Sequence, residues 1–338
     1  MTRVGILGAS GYTGAELLRL CAQHPDFDVV YATGDTQAGV KASSLYPSLA
    51  ARYPDLVFET FDAARAEGLD LVFLGLPHEA SMAMATQLSG TVGCIVDLSA
   101  AYRLKDASLY PRWYGFEHDQ PELLDAAVYG LPELHRAELK GASLVATPGC
   151  HVTAATLGLA PLVRAGLVQP TGIVVNSITG ISGAGRALKH GSLFCSADED
   201  VQAYGLLDHR HTPEIEQEVG GQVLFTPHLA PMNRGILATS YARPATDVST
   251  ESLLAALADA YAGEPFVVVD ERSPSTKATL GSNTAHITAR FDERTWTVMV
   301  ICAIDNLTKG ASGGAVQAAN VALGLDETAG LSAVGVYP

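Results

Sequence analysis

Cysteine is scarce in this chain, with five among 338 residues, at positions 21, 94, 150, 195 and 302. No two form a C-x-x-C pair and the count is odd. A disulfide framework is therefore not expected, and a reduced, cytoplasmic setting is. Basic residues are also in deficit, with 21 Lys plus Arg against 36 Asp plus Glu and a formal net charge of −15. That balance argues against nucleic acid and anionic membrane surfaces as partners. It leaves small anionic ligands open, because a few local arginines can outweigh the global sign. There is no run of about 18 apolar residues, so no membrane span is expected. The opening MTRVGILGAS lacks the charged and apolar regions of a secretory leader and runs straight into a strand and a glycine loop. Internal repeats, low-complexity tracts and long charge runs are missing as well.

What is present is a globular composition, 48% apolar and 17% charged, with 33 glycines that suit many tight turns. The length favours two domains over one. Up to residue 150 strand and helix signals alternate. Arg3–Leu7, Phe27–Ala32, Leu69–Leu74, Cys94–Leu98 and Ser143–Thr147 read as strands, with helices over Gly14–Gln23 and Ser81–Leu88. Continuous apolar strands between helices predict a parallel sheet covered on both faces. After a helix over His151–Arg164, strand signals dominate: Ile173–Thr179, Gln222–Thr226, Ile236–Ala242, Phe266–Val269, Ala285–Phe291 and Thr295–Ile304, with one long helix at Thr250–Tyr261. The expected fold class is thus α/β: a Rossmann-type parallel sheet domain followed by an α+β domain with a mixed or antiparallel sheet. A final helix, Ser312–Leu323, is rich in small residues and is expected to return to the first domain. The expected organisation is residues 1–149 with 311–338 as a dinucleotide-binding domain, and 150–310 as a catalytic and oligomerisation domain.

GASGYTG, Gly8–Gly14, follows a strand and opens a helix, the context in which a glycine fingerprint binds a dinucleotide. The first glycine allows the turn, the second lets backbone approach a pyrophosphate, and the third permits close helix–strand packing. The helix N-terminus offers free N–H groups to the phosphates. Candidate cofactor contacts here are Gly8, Ser10, Gly11, Tyr12, Thr13 and Gly14. After the second strand two readings stand. Asp35 suits a free ribose and NAD; Thr33, Thr36 and Lys41 suit the 2′-phosphate of NADP.

Cys150 follows Pro148-Gly149 at the start of an expected helix, where the partial positive charge stabilises a thiolate. A thiolate beside a dinucleotide domain suggests thioester chemistry with hydride transfer. Cys21, Cys94 and Cys302 lie in apolar runs and read as packing residues. A thiol nucleophile needs a base, and LLDHRHTPEIEQE offers His209 and His211 ahead of a helix with Thr212 as N-cap and Pro213 at its first position. In extended chain the two imidazoles face one side. The nearby helix N-terminus keeps an imidazole neutral, as a base requires, and Glu214 can orient one ring. His151 is read as structural. A metal site on the His-x-His pair is the rival reading, without evident third and fourth ligands.

TGISGAGRALKHG joins four glycines to Arg186 and Lys189, a candidate anion nest. DLSAAYRL puts Ser99 and Arg103 at the carboxyl edge of a strand, and APMNRGIL puts Arg234 before another. Together these suggest an anionic substrate, with Ser99, Arg103, Arg186 and Glu214 as candidate contacts. DNLTKGASGG is a further glycine-rich helix start.

GASGYTGAELLRL, GLPHEAS, DLSAAYRL, TPGCHVTAATLGLAPL, ITGISGAGR, HRHTPEIEQE and DNLTKGASGGAVQAAN occur in the order found in a known family and span essentially the whole chain. The chain resembles the N-acetyl-γ-glutamyl-phosphate reductases, arginine-biosynthesis enzymes related to aspartate-semialdehyde dehydrogenase. The resemblance implies NADPH-dependent reduction of a small acyl phosphate to a semialdehyde. It implies Cys150 as nucleophile, His211 as the preferred base, His209 in substrate contact and a homo-oligomer, a tetramer or dimer. Ser182, Gly183 and Asn306 join the candidate cofactor contacts. Two positions depart from the family: His151 replaces an aromatic residue, and TGDTQ stands where Ser-Arg-type residues meet the 2′-phosphate. Competing readings are a reductase of aspartyl phosphate or of carrier-protein-bound aminoadipyl phosphate, and a non-catalytic NADP-sensing regulator.

Overall fold

The computed structural model describes residues 1–338 and divides into two compact units. One comprises Met1–Ala107, His118–Pro148 and Ala311–Leu331; the other comprises Ser108–Glu117, Gly149–Gly310 and Ser332–Pro338. The longer helices are α1 Tyr12–Cys21, α2 His78–Leu88, α3 Pro132–Leu139, α4 Cys150–Arg164, α5 Thr212–Val219, α6 Thr250–Ala260 and α7 Gly313–Leu323. None is long and apolar enough to cross a membrane.

The first unit is built on strands β1 Thr2–Leu7, β2 Phe27–Ala32, β3 Leu71–Leu74, β4 Cys94–Asp97, β5 Val128–Tyr129 and β6 Leu144–Ala146. Their order is β2-β1-β3-β4-β6-β5, and every pairing is parallel. All positions of β3 are buried, which is why LVFL is a continuous apolar run rather than an alternation. Winding reverses at β1, which has β2 on one side and β3 on the other. The carboxyl end of such a strand is where open parallel sheets bind ligands. Helix α7 packs on α1, α3 and β4, and is buried from Gly313 to Ala322. Its small residues GGAVQAA permit that approach, and its buried Asn320 is satisfied by His24, whose Nε2 lies 2.9 Å from Oδ1.

The second unit carries β7 Ile173–Gly180, β8 Gln202–Ala203, β9 Val223–Ala230, β10 Ile236–Ala242, β11 Val267–Val269, β12 Ala285–Asp292 and β13 Thr297–Ile304. The order is β11-β12-β13-β10-β7-β9-β8. Two pairings, β7–β9 and β11–β12, are parallel and the rest antiparallel, giving the mixed sheet expected. Helix α4 lies on this sheet and is buried from His151 to Leu162. At its middle a Cβ on Gly158 would stand 3.1 Å from Val300, so a larger residue would lift the helix from β13.

The boundaries depart from expectation at two instructive places. Strand β9 continues past Thr226 through Pro227, because the Pro227 carbonyl faces Tyr204 N (3.1 Å) on the β8 side; its missing N–H therefore takes nothing from β7. Helix α5 begins at Thr212, so Thr212 is not the N-cap. That position belongs to His211 (φ −80°, ψ −12°), whose helix-like backbone comes without a side-chain cap hydrogen bond.

Candidate active site

In the first unit, the glycine loop is shaped by two glycines and left open at the third. Gly8 has φ +85°, and a Cβ there would lie 2.4 Å from the Gly75 carbonyl oxygen. At Gly14 a Cβ would lie 2.4 Å from Ala9 Cα, so α1 touches the loop backbone. At Gly11, the N-cap of α1, the nearest protein atom to such a Cβ is 3.6 Å away. The side of Gly11 thus has room for a ligand, with first-turn N–H groups of α1 beside it. A pyrophosphate fits this cradle.

The other residues assigned to this loop divide between frame and surface. Thr33 is buried, and its hydroxyl accepts from the Gly8 amide at 3.1 Å. Ser10 donates to the Gly34 carbonyl, and Tyr46 donates to the Ser10 carbonyl. Ser312 donates to the Thr13 carbonyl, tying the start of α7 to α1. Tyr12 is exposed. Asp35 and Thr36 are exposed, with Asp35 at φ +48°, while Lys41 pairs with Asp55 at 2.9 Å.

Ser99 and Arg103 lie in the same unit around Asp97, at the end of β4. Asp97 is fully buried and accepts from Ser81, from the Ser99 amide and from the Ser99 hydroxyl at 2.5, 2.9 and 2.7 Å. Burial pushes its carboxyl upward, opposed by these donors and by Arg103. Arg103 Nε donates to the Thr147 carbonyl and Nη2 to the Leu98 carbonyl, linking the ends of β4 and β6. Ser99 spends its hydroxyl proton inside this network.

In the second unit, Cys150 is the first residue of α4 and partly exposed, with Gly149 as N-cap. First-turn amides of a helix have no intrahelical acceptor, and here they surround the sulfur-bearing residue. Gly149 is held from two sides. Its amide donates to Glu214 Oε1 at 2.9 Å, and a Cβ on it would stand 2.5 Å from His211 Nε2. Gly310 packs on the other flank, where a Cβ would come within 2.9 Å of Cys150 Cβ. Cys21, Cys94 and Cys302 are buried, and burial pushes each thiol up to about 12.

His209 and His211 come together through a turn rather than an extended strand. The His209 carbonyl accepts from Thr212 N at 3.0 Å, and the His211 amide donates to His209 Nδ1 at 3.1 Å. The two rings stand 4.7 Å apart. Tyr114 donates to the Arg210 carbonyl between them, and the His209 ring packs over Gly205 (φ +55°). Burial, then the charge of Arg210, lowers His209 to about 4, so it is neutral at pH 7. Glu214, fully buried, sits on the Gly149 amide.

Around this pair stand His151, which the sequence suggests is structural, and two groups that the sequence does not single out, Ser177 and Tyr204. His151 is 1% exposed and makes ring contacts with His209, His211 and Phe225. Its Nδ1 lies 2.7 Å from Ser177 Oγ and its Nε2 lies 3.0 Å from the Tyr204 hydroxyl. Burial and the neighbouring His209 and His228 lower it to about 3. Adjacency to Cys150 was the one available signal. Ser177 lies on β7 and Tyr204 just after β8, on either side of β9, and no local pattern connects them to the cysteine.

The remaining candidates form a separate group in the second unit. Asn306 Nδ2 donates to Ser182 Oγ at 3.0 Å, its Oδ1 accepts from Gly235 N at 2.7 Å, and Gly183 packs close by. Arg234 pairs with buried Asp305 and is therefore part of the frame. Arg186 is exposed on the loop that follows Ile181–Ala184.

Comparison with known proteins follows this division. Residues 3–142 match the family described as semialdehyde dehydrogenase, NAD binding domain, and residues 150–306 match semialdehyde dehydrogenase, dimerisation domain. The N-acetyl-gamma-glutamyl-phosphate reductase of Ectopseudomonas mendocina (strain ymp) is 46% identical over 346 residues, covering 100% of both chains. The protein of that name from Citrifermentans bemidjiense is 47% identical over 348 residues, again covering 100% of both. Among solved structures, aspartate semialdehyde dehydrogenase with NADP from Candida albicans aligns with a TM-score of 0.68 at 15% identity, covering 95% of this chain and 98% of that one, a likeness of fold. By its full-length sequence identity, the chain belongs to the N-acetyl-γ-glutamyl-phosphate reductase family of semialdehyde dehydrogenases.

Proposed function

We propose that this chain reduces N-acetyl-γ-glutamyl phosphate to N-acetylglutamate semialdehyde and phosphate, with NADPH, through a thioester on Cys150. The observation that carries the mechanism is the junction at Gly149: a cysteine on the first turn of a buried helix, with a histidine ring against the preceding residue.

The Cys150 thiolate, favoured by the α4 N-terminus, attacks the acyl carbon, and the acyl–phosphate bond breaks to release phosphate. First-turn amides of α4 stabilise the oxyanion that forms. When bound, NADPH supplies the hydride that converts the thioester to a thiohemiacetal. His211, carrying the proton it took from the Cys150 thiol, gives it to the oxyanion left by hydride addition and takes it back as the C–S bond breaks, so the semialdehyde leaves with the thiolate restored. His209 contacts substrate, and Glu214 fixes the Gly149 turn. Exposed Arg186, with Arg103, contributes to recognition of the anionic substrate, while Ser99, its proton spent on Asp97, holds the end of β4.

Gly8, Gly11 and Gly14 hold the pyrophosphate, with Ser10, Tyr12, Thr13 and Thr33 about it; Ser182, Gly183 and Asn306 serve the nicotinamide side. Lys41 and Thr36 favour a 2′-phosphate, since a surface pair such as Lys41–Asp55 is easily exchanged. The NADP-bearing relative of like fold supports the same choice. A homodimer or homotetramer fits the dimerisation-domain match, and free thiols fit a reducing cytoplasm.

The test is the phosphate-dependent reverse reaction, followed by absorbance of the reduced nucleotide. N-acetylglutamate semialdehyde with NADP and phosphate should give signal. Signal only with aspartate semialdehyde would move the chain to a different substrate, and none with either would leave a nucleotide-binding regulator.

A further inference from the structure

Three buried or half-buried polar groups are joined in a single chain through His151, the residue after Cys150: Ser177, His151 and Tyr204. Ser177, on β7, is fully buried, and His151 Nδ1 is the partner of its hydroxyl. A buried hydroxyl proton without an acceptor loses its full solvation, so the Ser177 proton goes to His151 Nδ1. A neutral imidazole that accepts at Nδ1 carries its own proton at Nε2. Nε2–H therefore donates to the Tyr204 oxygen at 3.0 Å. That oxygen is then occupied as an acceptor, and the phenolic proton is turned away from His151.

The rings hold this arrangement in place. His151 is enclosed by Phe225, His211 and His209, with centroids 5.5, 5.8 and 6.0 Å away, which opposes a ring flip. Tyr204 is anchored through its amide to the Pro227 carbonyl and stands 5.4 Å from the His209 ring. We propose that Ser177 and His151 are positioning residues that aim the Tyr204 hydroxyl, as a hydrogen-bond donor, at the Cys150 sulfur. This rests on the thioester reading, in which that sulfur must be held ionised. Burial, and next the charge of Cys150, pushes the Tyr204 pKa above its ordinary value, opposed by Arg210, so the phenol keeps its proton and lies within electrostatic reach of the sulfur. The other titratable or charged groups about the trio are His209 and His211, Arg210 between them, Asp208, Glu214 on α5 and His228 on β9.

The test reads the sulfur directly, as the pH profile of alkylation by iodoacetamide. Full-length protein carrying Cys195→Ser is used, because Cys195 is exposed. Tyr204→Phe and Ser177→Ala should each move the profile to higher pH, slowing alkylation on its acid limb about tenfold. His151→Gln places an amide N–H where Nε2 stood and should keep the original profile. His151→Asn reaches only toward Ser177 and should shift it as Tyr204→Phe does. A purely structural role predicts lowered thermal midpoints with no shift, and unshifted profiles in Tyr204→Phe and Ser177→Ala overturn the relay while leaving the thioester reading intact. An unsubstituted Cys150 titrating as an ordinary thiol overturns both.

Discussion

Gly149 and His211 are in such close contact that a methyl group on Gly149 would lie 2.5 Å from the His211 Nε2 atom. Gly149 has φ −66°, which any residue adopts, so its smallness serves the ring and not the backbone. Gly149→Ala should therefore fold, displace the imidazole from the cysteine turn, and lower kcat about 10²-fold, the usual cost of misplacing a catalytic group. Steady-state kinetics beside a thermal melt checks this. Wild-type kcat would show that His211 need not sit there.

The two glycines flanking the nucleotide cradle should behave differently on substitution. Gly14→Ala pushes a methyl into Ala9 Cα and the Gly8 oxygen and should lower stability by about 1–3 kcal/mol. Gly11→Ala meets nothing nearer than 3.6 Å and should keep the melting temperature. It should still weaken NADPH binding about tenfold, or about 1.4 kcal/mol. Calorimetric melts and nucleotide titration separate the two effects.

Stability should depend on pH through the histidine cluster. Folding lowers His209 from 6.5 to about 4 and His151 from 6.5 to about 3, chiefly by burial. Below 6.5 the unfolded chain takes up protons that the folded chain refuses. Their stabilisation is complete above that value and is lost as pH falls toward about 4, His151 extending the loss toward about 3. Thermal midpoints measured downward from neutral pH should fall through this window, and less steeply in His151→Gln. A flat profile would mean the imidazoles are solvated.

Much of this arrangement was legible in the sequence, and the parts that were not have common causes. Parallel strands such as LVFL are buried on both faces and so read as apolar runs, and GASGYTG announced its own strand–turn–helix context. Two-residue strands such as Val128–Tyr129 and Gln202–Ala203 are too short to carry a period. Helix α3 hid because His135 breaks its dihedrals (φ −131°). The His-x-His pair was visible as a motif, but its convergence depends on a turn fixed by Tyr114, far away in sequence. Ser177 and Tyr204 meet His151 across the sheet, from β7 and from the residue after β8, and no spacing rule reaches that far.

The two histidines of the motif should not be equivalent. His211 abuts the cysteine turn, whereas His209 packs over Gly205 and Tyr204. His211→Asn should lower kcat by about 10²–10⁴-fold, the scale of general acid–base catalysis, and His209→Asn less, with more effect on KM. The opposite order in paired kinetic measurements would exchange their roles.

A covalent role for Cys150 is most directly tested by Cys150→Ser, assayed for turnover, NADPH binding and acyl-adduct mass together. Turnover and the adduct should both be lost while NADPH binds as in the unsubstituted protein. Turnover retained in that variant would contradict the thioester.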